Sequence, residues 1–174
     1  MTTSPPFSFT HYLAAKKSVD DRALNRLVWQ RLAEALADRQ QDARLRVLEI
    51  GAGIGAMGER VVEWGLLSAG EYTAIDNEAE NVAGIRERLG AGQGGLALTA
   101  EVADAFAFAA RPEQAQRYDL LIAHAVLDLF DVPRALPRLL RPLKAGGLCY
   151  FTINFDGATI FEPTIDPALD GLIE

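Results

Sequence analysis

Hydrophobic positions along the chain follow two different periods. Leu24, Leu27, Val28, Leu32, Ala35 and Leu36 recur every three or four residues, which predicts one face of an amphipathic helix ending near Asp38. Ser18 and Asp20 precede this stripe and read as N-caps. The polar run from Asp38 to Arg44 reads as a loop, and residues 1–8 as a frayed, proline-containing end. Beyond it, short apolar runs predict five strands: Val47–Ile50, Tyr72–Ile75, Leu96–Val102, Leu120–Ala123 and Leu148–Phe155. Helical patterns fall between them, at Met57, Val61, Val62 and Leu66, over Glu78–Leu89, and over Asp104–Ala110. Leu136, Leu139, Leu140 and Leu143 predict one more, with Pro133 placed for a helix start. The run Gly90 to Gly95 reads as a flexible connection, and Ala145-Gly146-Gly147 as the stop of the last helix.

Strands that alternate with helices pair in parallel, so the expected fold is a doubly wound, mainly parallel α/β sheet of about five strands. Two regions are expected: an N-terminal helical segment over residues 1–43 and the sheet-containing core over 44–174. Ligands in such sheets bind outside the carboxyl ends of the strands, where strand order reverses.

Composition narrows the partners. The formal net charge of -7 over 174 residues disfavours a phosphate backbone as ligand. Arg134, Arg138, Arg141 and Lys144 form the densest basic run and read as a solvated helix face. The single cysteine, Cys149, excludes an internal disulfide and a metal site built on paired cysteines. It reads as a small packed hydrophobe, and no metal is expected. No run approaches the roughly 20 apolar residues of a membrane span. The first nine residues lack the pattern of a signal peptide, so the expected location is the cytoplasm.

The chemistry lies at the strand ends. Gly51, Gly53 and Gly55 follow the first strand, with Ala52 between them, and permit a tight turn with close approach of a ligand. The same residues fit a dinucleotide-binding turn. Glu49 separates the two readings. It lies inside an apolar strand, where a carboxylate is costly unless partnered. A negative charge there suits a ligand carrying ammonium and sulfonium groups better than a phosphate. Asp76 and Asn77 follow the second strand; Asp76 is placed to accept from ribose hydroxyls, and Asn77 reads equally as a helix cap. Asp104 and Ala105 follow the third strand, where Asp104 is either an adenine partner or an N-cap. His124 follows the fourth strand and reads first as a wall of the ligand cleft, with general base as the alternative. Asp128 is the other candidate base.

In this order the residues resemble the class I S-adenosylmethionine (SAM)-dependent methyltransferases. Glu49-Ile50-Gly51-Ala52-Gly53-Ile54-Gly55 is similar to the family's E-x-G-x-G-x-G motif. Asp76 and Asp104 fall on its acidic positions after the second and third strands. Asp119 to His124 resembles its fourth segment, and Leu139 to Leu148 its leucine-rich helix with a Lys-x-Gly-Gly turn. The resemblance covers about Arg44 to Asn154. It implies that Gly51 to Gly55 pack against the methionine part of SAM. Asp76 would hold the ribose, Asp104 the adenine amino group, and His124 the methionine side. Tyr12, Lys16 and Lys17 are implied candidates for closing the site or pairing the SAM carboxylate. The implied reaction is in-line methyl transfer from SAM, leaving S-adenosylhomocysteine (SAH), to an unidentified acceptor. A small molecule is favoured, and the absence of an N-P-P-Y type segment, which resembles amino-nitrogen methyltransferases of bases and glutamine, lowers those acceptors.

The family's sheet usually holds seven strands, and only five are read here. The fifth would then be an apolar edge of the kind that pairs with other chains. The expectation is a truncated chain, or an edge covered by a partner, which makes a homodimer through that strand possible in principle. The alternative function is therefore a non-catalytic or truncated SAM-binding module whose acceptor-binding part is missing or supplied by a partner. An NAD-dependent dehydrogenase is a weaker third reading.

Overall fold

The computed structural model describes residues 9–42, 44–90, 92–93 and 95–153. Two helices come first, α1 (Phe9–Ala23) and α2 (Arg26–Asp42). The break between them is set by Asn25, whose Oδ1 accepts from the N–H groups of Leu27 at 3.0 Å and Val28 at 3.2 Å. Asn25 is thus the N-cap of α2. Ser18 and Asp20, expected as caps, lie inside α1, and the expected loop over Asp38 to Arg44 is mostly the end of α2. The buried face of α2 is Trp29, Leu32 and Leu36, whereas Leu27 and Val28 are exposed. Trp29 packs edge-on against Trp64 and Tyr150, with ring centroids at 5.0 and 5.5 Å. This contact fastens α2 to the sheet.

The strands are β1 (Leu45–Ile50), β2 (Gly70–Asp76), β3 (Gly92–Gln93), β4 (Leu96–Val102), β5 (Tyr118–His124) and β6 (Leu143–Thr152). They form one sheet in the order β3-β4-β2-β1-β5-β6. All pairings are parallel except the two-residue β3, which runs antiparallel to β4. The glycine run was expected to be a connection without structure. It forms β3 because Gly92, at φ +116° and tight against the Leu96 carbonyl, has room for no side chain. Strand order reverses around β1, with β2 on one side and β5 on the other, so the ligand crevice belongs at its carboxyl end.

Four more helices follow the strands: α3 (Ala56–Glu63), α4 (Ala79–Leu89), α5 (Ala105–Ala109) and α6 (Val132–Leu139). Side chains alternate across the sheet into two cores. Val47, Tyr72, Leu120 and Ile122 face one side with α2 and α3. Leu48, Ile75, Leu121 and Ala123 face the other with Phe108 and Leu139. Buried strands covered on both faces are what parallel sheets require.

Two expectations near the end of the chain are corrected. Helix α6 stops at Leu139, before Pro142, because a proline disfavours helical backbone in the residue ahead of it. Lys-Ala-Gly-Gly lies within β6: Tyr118 pairs with Leu143 and Leu120 with Leu148, so Lys144 to Gly147 bulge out of the ladder. Arg141 and Lys144 therefore do not share a helix face with Arg134 and Arg138. Lys144 pairs with Asp119 at 2.7 Å, and the Arg138 guanidinium stacks on Phe106 at 4.4 Å. Cys149 is exposed on β6 rather than packed, because β6 is the last strand of the sheet among the described residues. No helix among the described residues is long and apolar enough to cross a membrane. The tail from Asn154, including the end of the expected fifth strand, lies outside the described residues.

Candidate functional site

A cavity of about 380 Å³ opens at the carboxyl ends of β1, β2 and β5. Its floor is the turn after β1. Gly51, Gly53 and Gly55 all have positive φ, at +63°, +54° and +86°. A Cβ on Gly51 would meet Val126 Cγ2 at 2.5 Å, so both backbone conformation and space require glycine there. Gly51, Ala52 and Gly53 line the cavity; Gly55 lies beneath it, next to Ile85 of α4.

Glu49 lines the same cavity and is 1% exposed. Tyr72 donates its hydroxyl to Glu49 Oε2 at 2.7 Å. Burial pushes the Glu49 carboxyl up to about 8; the Tyr72 hydrogen bond and the Arg60 charge oppose this, and the Asp76 charge adds to it. The strand pattern explains the position. Glu49 shares the face of Val47, where α3 brings Arg60 close, and Arg60 is fully buried. Desolvation of a carboxylate beside one cation leaves a site that gains from a second positive charge.

Asp76, the last residue of β2, accepts three hydrogen bonds. Gly53 N–H donates to Oδ2 at 2.8 Å, while Glu78 N–H and Asn81 Nδ2 each donate to Oδ1 at 3.0 Å. It thus braces the glycine turn and still lines the cavity with Asn77. Asp104 is different. It is exposed, its Oδ1 caps α5 by accepting from Ala107 N–H at 2.8 Å, and neither it nor Ala105 lines the cavity.

His124, at the end of β5, lines the cavity. Its Nδ1 pairs with the hydroxyl of Thr152 on β6. Its Nε2 is buried, has no hydrogen-bond partner among the described residues, and stands 3.6 Å from Asp20 Oδ2. Burial and the charges of Arg60 and Lys16 hold its pKa below the usual imidazole value, against the opposing pull of Asp20. Asp128 does not reach the cavity. Its 3-10 turn buries Leu127 and turns Asp128 to solvent, leaving Leu129 at the cavity mouth.

Helix α1 supplies the facing wall. Tyr12, Lys16 and Asp20 line the cavity, each four residues from the next and so on one helix face. Lys17, one residue round, is turned away and pairs with Glu59 at 2.9 Å and Glu63 at 3.3 Å. Buried Arg60 anchors the helix. Its Nε meets Asp21 at 2.6 Å, and Nη2 donates to the Lys17 carbonyl at 3.4 Å.

The description "Methyltransferase domain" matches residues 47–147. This chain belongs to that methyltransferase domain family. Comparison with curated protein sequences returns no match. Among solved structures, the CurJ carbon methyltransferase is 24% identical at a TM-score of 0.50, over 62% of this chain and 28% of that one. The plantazolicin methyltransferase BpumL, in complex with a pentazolic desmethylPZN analog and SAH, is 22% identical at 0.52, over 79% of this chain and 51% of its own. A Methanococcus maripaludis protein proposed to be an S-adenosyl-L-methionine-dependent methyltransferase is 18% identical at 0.53, over 89% and 68%. These likenesses show the fold. The methyltransferase domain thus spans 28% and 51% of the length of the first two.

Of the residues expected from sequence, the structure brings Glu49, Gly51, Ala52, Gly53, Asp76, Asn77, His124, Tyr12 and Lys16 to one cavity. Gly55 shapes the turn beneath it, and Asp104, Ala105, Asp128 and Lys17 stand outside it. Sequence reasoning missed Asp20, taken for a cap, and the anchor Arg60. The four-residue spacing of Tyr12, Lys16 and Asp20 was the available signal for the first.

Proposed function

We propose that this methyltransferase domain binds SAM in the cavity and transfers its methyl group to a small-molecule acceptor. The observation that carries the reading is Glu49, a carboxylate buried in the floor of a glycine turn. A dinucleotide pyrophosphate would make this buried carboxyl still harder to ionise, whereas the cationic groups of SAM favour its ionised form. The remaining lining fits the same ligand. Gly51 holds the turn at positive φ, packed closely against Val126 at the cavity edge, and Asp76 retains acceptor capacity for ribose hydroxyls beyond its three donors. Lys16 is the cation placed for the methionine carboxylate. Asp104 stays the proposed adenine partner. Val102 pairs with Asp76 across the sheet, and Ala103 N–H donates to the Asp76 carbonyl at 2.9 Å, so Asp104 is one strand over from the ribose position.

SAM supplies a methyl carbon on a sulfonium, so displacement leaves a neutral thioether. The chain's own residues hold the groups in place, and alignment alone contributes much of such a rate. His124 forms the wall beside the methionine end. Its depressed pKa keeps the imidazole neutral near pH 7, as a base for a protic acceptor requires. BpumL, solved with a pentazolic desmethylPZN analog and SAH, supports reading the acceptor as a small molecule.

The test is a methyl-release assay with labelled SAM over a panel of small hydroxyl, amine and carbon acceptors. Label transfer to any of them is expected. SAM binding without transfer to any acceptor supports the module reading instead.

A further inference from the structure

Asp20 lines the cavity on the α1 wall. Its two carboxylate oxygens have different neighbours. Lys16 Nζ lies 3.4 Å from Oδ1 and His124 Nε2 lies 3.6 Å from Oδ2. The second distance is too long for a direct hydrogen bond, and Nε2 is buried with no other partner. In the tautomer whose Nδ1–H donates to Thr152, Nε2 is an acceptor. Two acceptors 3.6 Å apart then face the same space. One donor atom at ordinary hydrogen-bond distance from both, carrying at least two hydrogens, would satisfy them; a hydroxyl has too few, and of the groups that have enough an ammonium also brings the positive charge that a carboxylate pairs with.

We propose that Asp20 and His124 form a binding site for a primary ammonium group, with Asp20 its charged ligand. This deepens the SAM reading and rests on it. The ammonium comes either from the methionine end of the cofactor or from an amine acceptor. Charge supports the assignment. Asp20 and Glu49 are carboxylates in the same cavity, one on α1 and one on β1. The cations facing His124 are Lys16 on α1 and Arg60 on α3; Thr152 of β6 is neutral. Lys16 beside Asp20 presents the pair of charges that complements an α-amino-acid end, cation to carboxylate and carboxylate to ammonium.

The test is calorimetric titration of the wild-type chain and Asp20→Asn with two probes, SAH and 5′-methylthioadenosine, which lacks the amino-acid end. Steady-state turnover of a primary amine acceptor is followed alongside. If the cofactor supplies the ammonium, Asp20→Asn weakens SAH about tenfold or more and leaves methylthioadenosine unchanged. If the acceptor supplies it, SAH affinity holds and KM for the amine rises by a similar factor. Equal loss of both probes assigns Asp20 to the fold and overturns the site, as does a variant indistinguishable from wild type in all three readouts. Failure of the wild-type chain to bind SAH contradicts the SAM reading itself, and the ammonium site falls with it.

Discussion

The cavity has two walls of different construction. The strand-end wall is local: Glu49, Gly51 and Gly53 lie within five residues of one another on β1 and its turn, and Asp76 on the neighbouring strand grips the turn through Gly53 N–H at 2.8 Å. The α1 wall is held from a distance. Tyr12, Lys16 and Asp20 reach the cavity because buried Arg60, 39 residues further along, pairs with Asp21 at 2.6 Å. A wall made by one stretch of backbone resists single changes outside that stretch. A wall whose buried tie is a single arginine is more exposed to one distant change.

The largest effect is therefore expected on the α1 wall. Arg60→Ala should cost about 3 kcal/mol, since removing one partner of a buried pair strands the other; the partial exposure of Asp21 keeps the loss below the upper range. Urea denaturation measures this, and SAH affinity should fall with it as α1 loosens. Next is Gly51→Ala on the strand-end wall. The positive φ and the Val126 contact predict a loss of about 2 kcal/mol and of SAH binding. If this variant binds SAH normally, the close-approach account of the turn is wrong.

Glu49→Gln separates charge from shape. The amide keeps the Tyr72 contact and should lower SAH affinity several-fold or more. The pH dependence follows from a carboxyl whose pKa rises on folding, from 4.5 to about 8. Its contribution to stability is full below pH 4.5 and is lost progressively as pH rises through about 8, because the unfolded chain ionises first. The wild type should lose stability relative to Glu49→Gln across that window, while its affinity for a cationic ligand rises. The smallest effect concerns Asp104. Asp104→Ala removes the α5 cap and should cost about 1 kcal/mol, and Asp104→Asn should restore it. A drop in SAH affinity for the Asn variant at unchanged stability would add an adenine contact to the capping role.

The same contrast explains what was legible in the sequence. The strands and the glycine turn follow from short-range patterns, and Glu49 stood out as a charge in an apolar run. The first four strands, the turn and Glu49 were found where expected; the last strand starts five residues earlier, at Leu143, and the short Gly92–Gln93 strand was not anticipated. Helix α1 was read only as part of an N-terminal helical segment and not as a separate helix from Phe9, because its few apolar positions give no clear stripe and its polar residues meet partners on α3, β5 and inside the cavity. Asp20 was taken for a cap for the same reason. Its real neighbour, His124, is 104 residues away, and no local pattern encodes that distance. Asp104 and Asp128 show the converse. Each follows a strand and looks like a site residue, but Asp104 stands outside the cavity and caps a helix, one of the two roles expected of it, and Asp128 is turned to solvent by a tight turn.

The central claim is that a buried carboxylate beside a glycine turn selects a nucleoside carrying an ammonium group over a dinucleotide. Calorimetric titration of the wild-type chain with SAH and with NAD, in the same buffer near pH 8, tests it most directly. One-to-one binding of SAH with no heat from NAD is the predicted result. Binding of NAD with no response to SAH would contradict it.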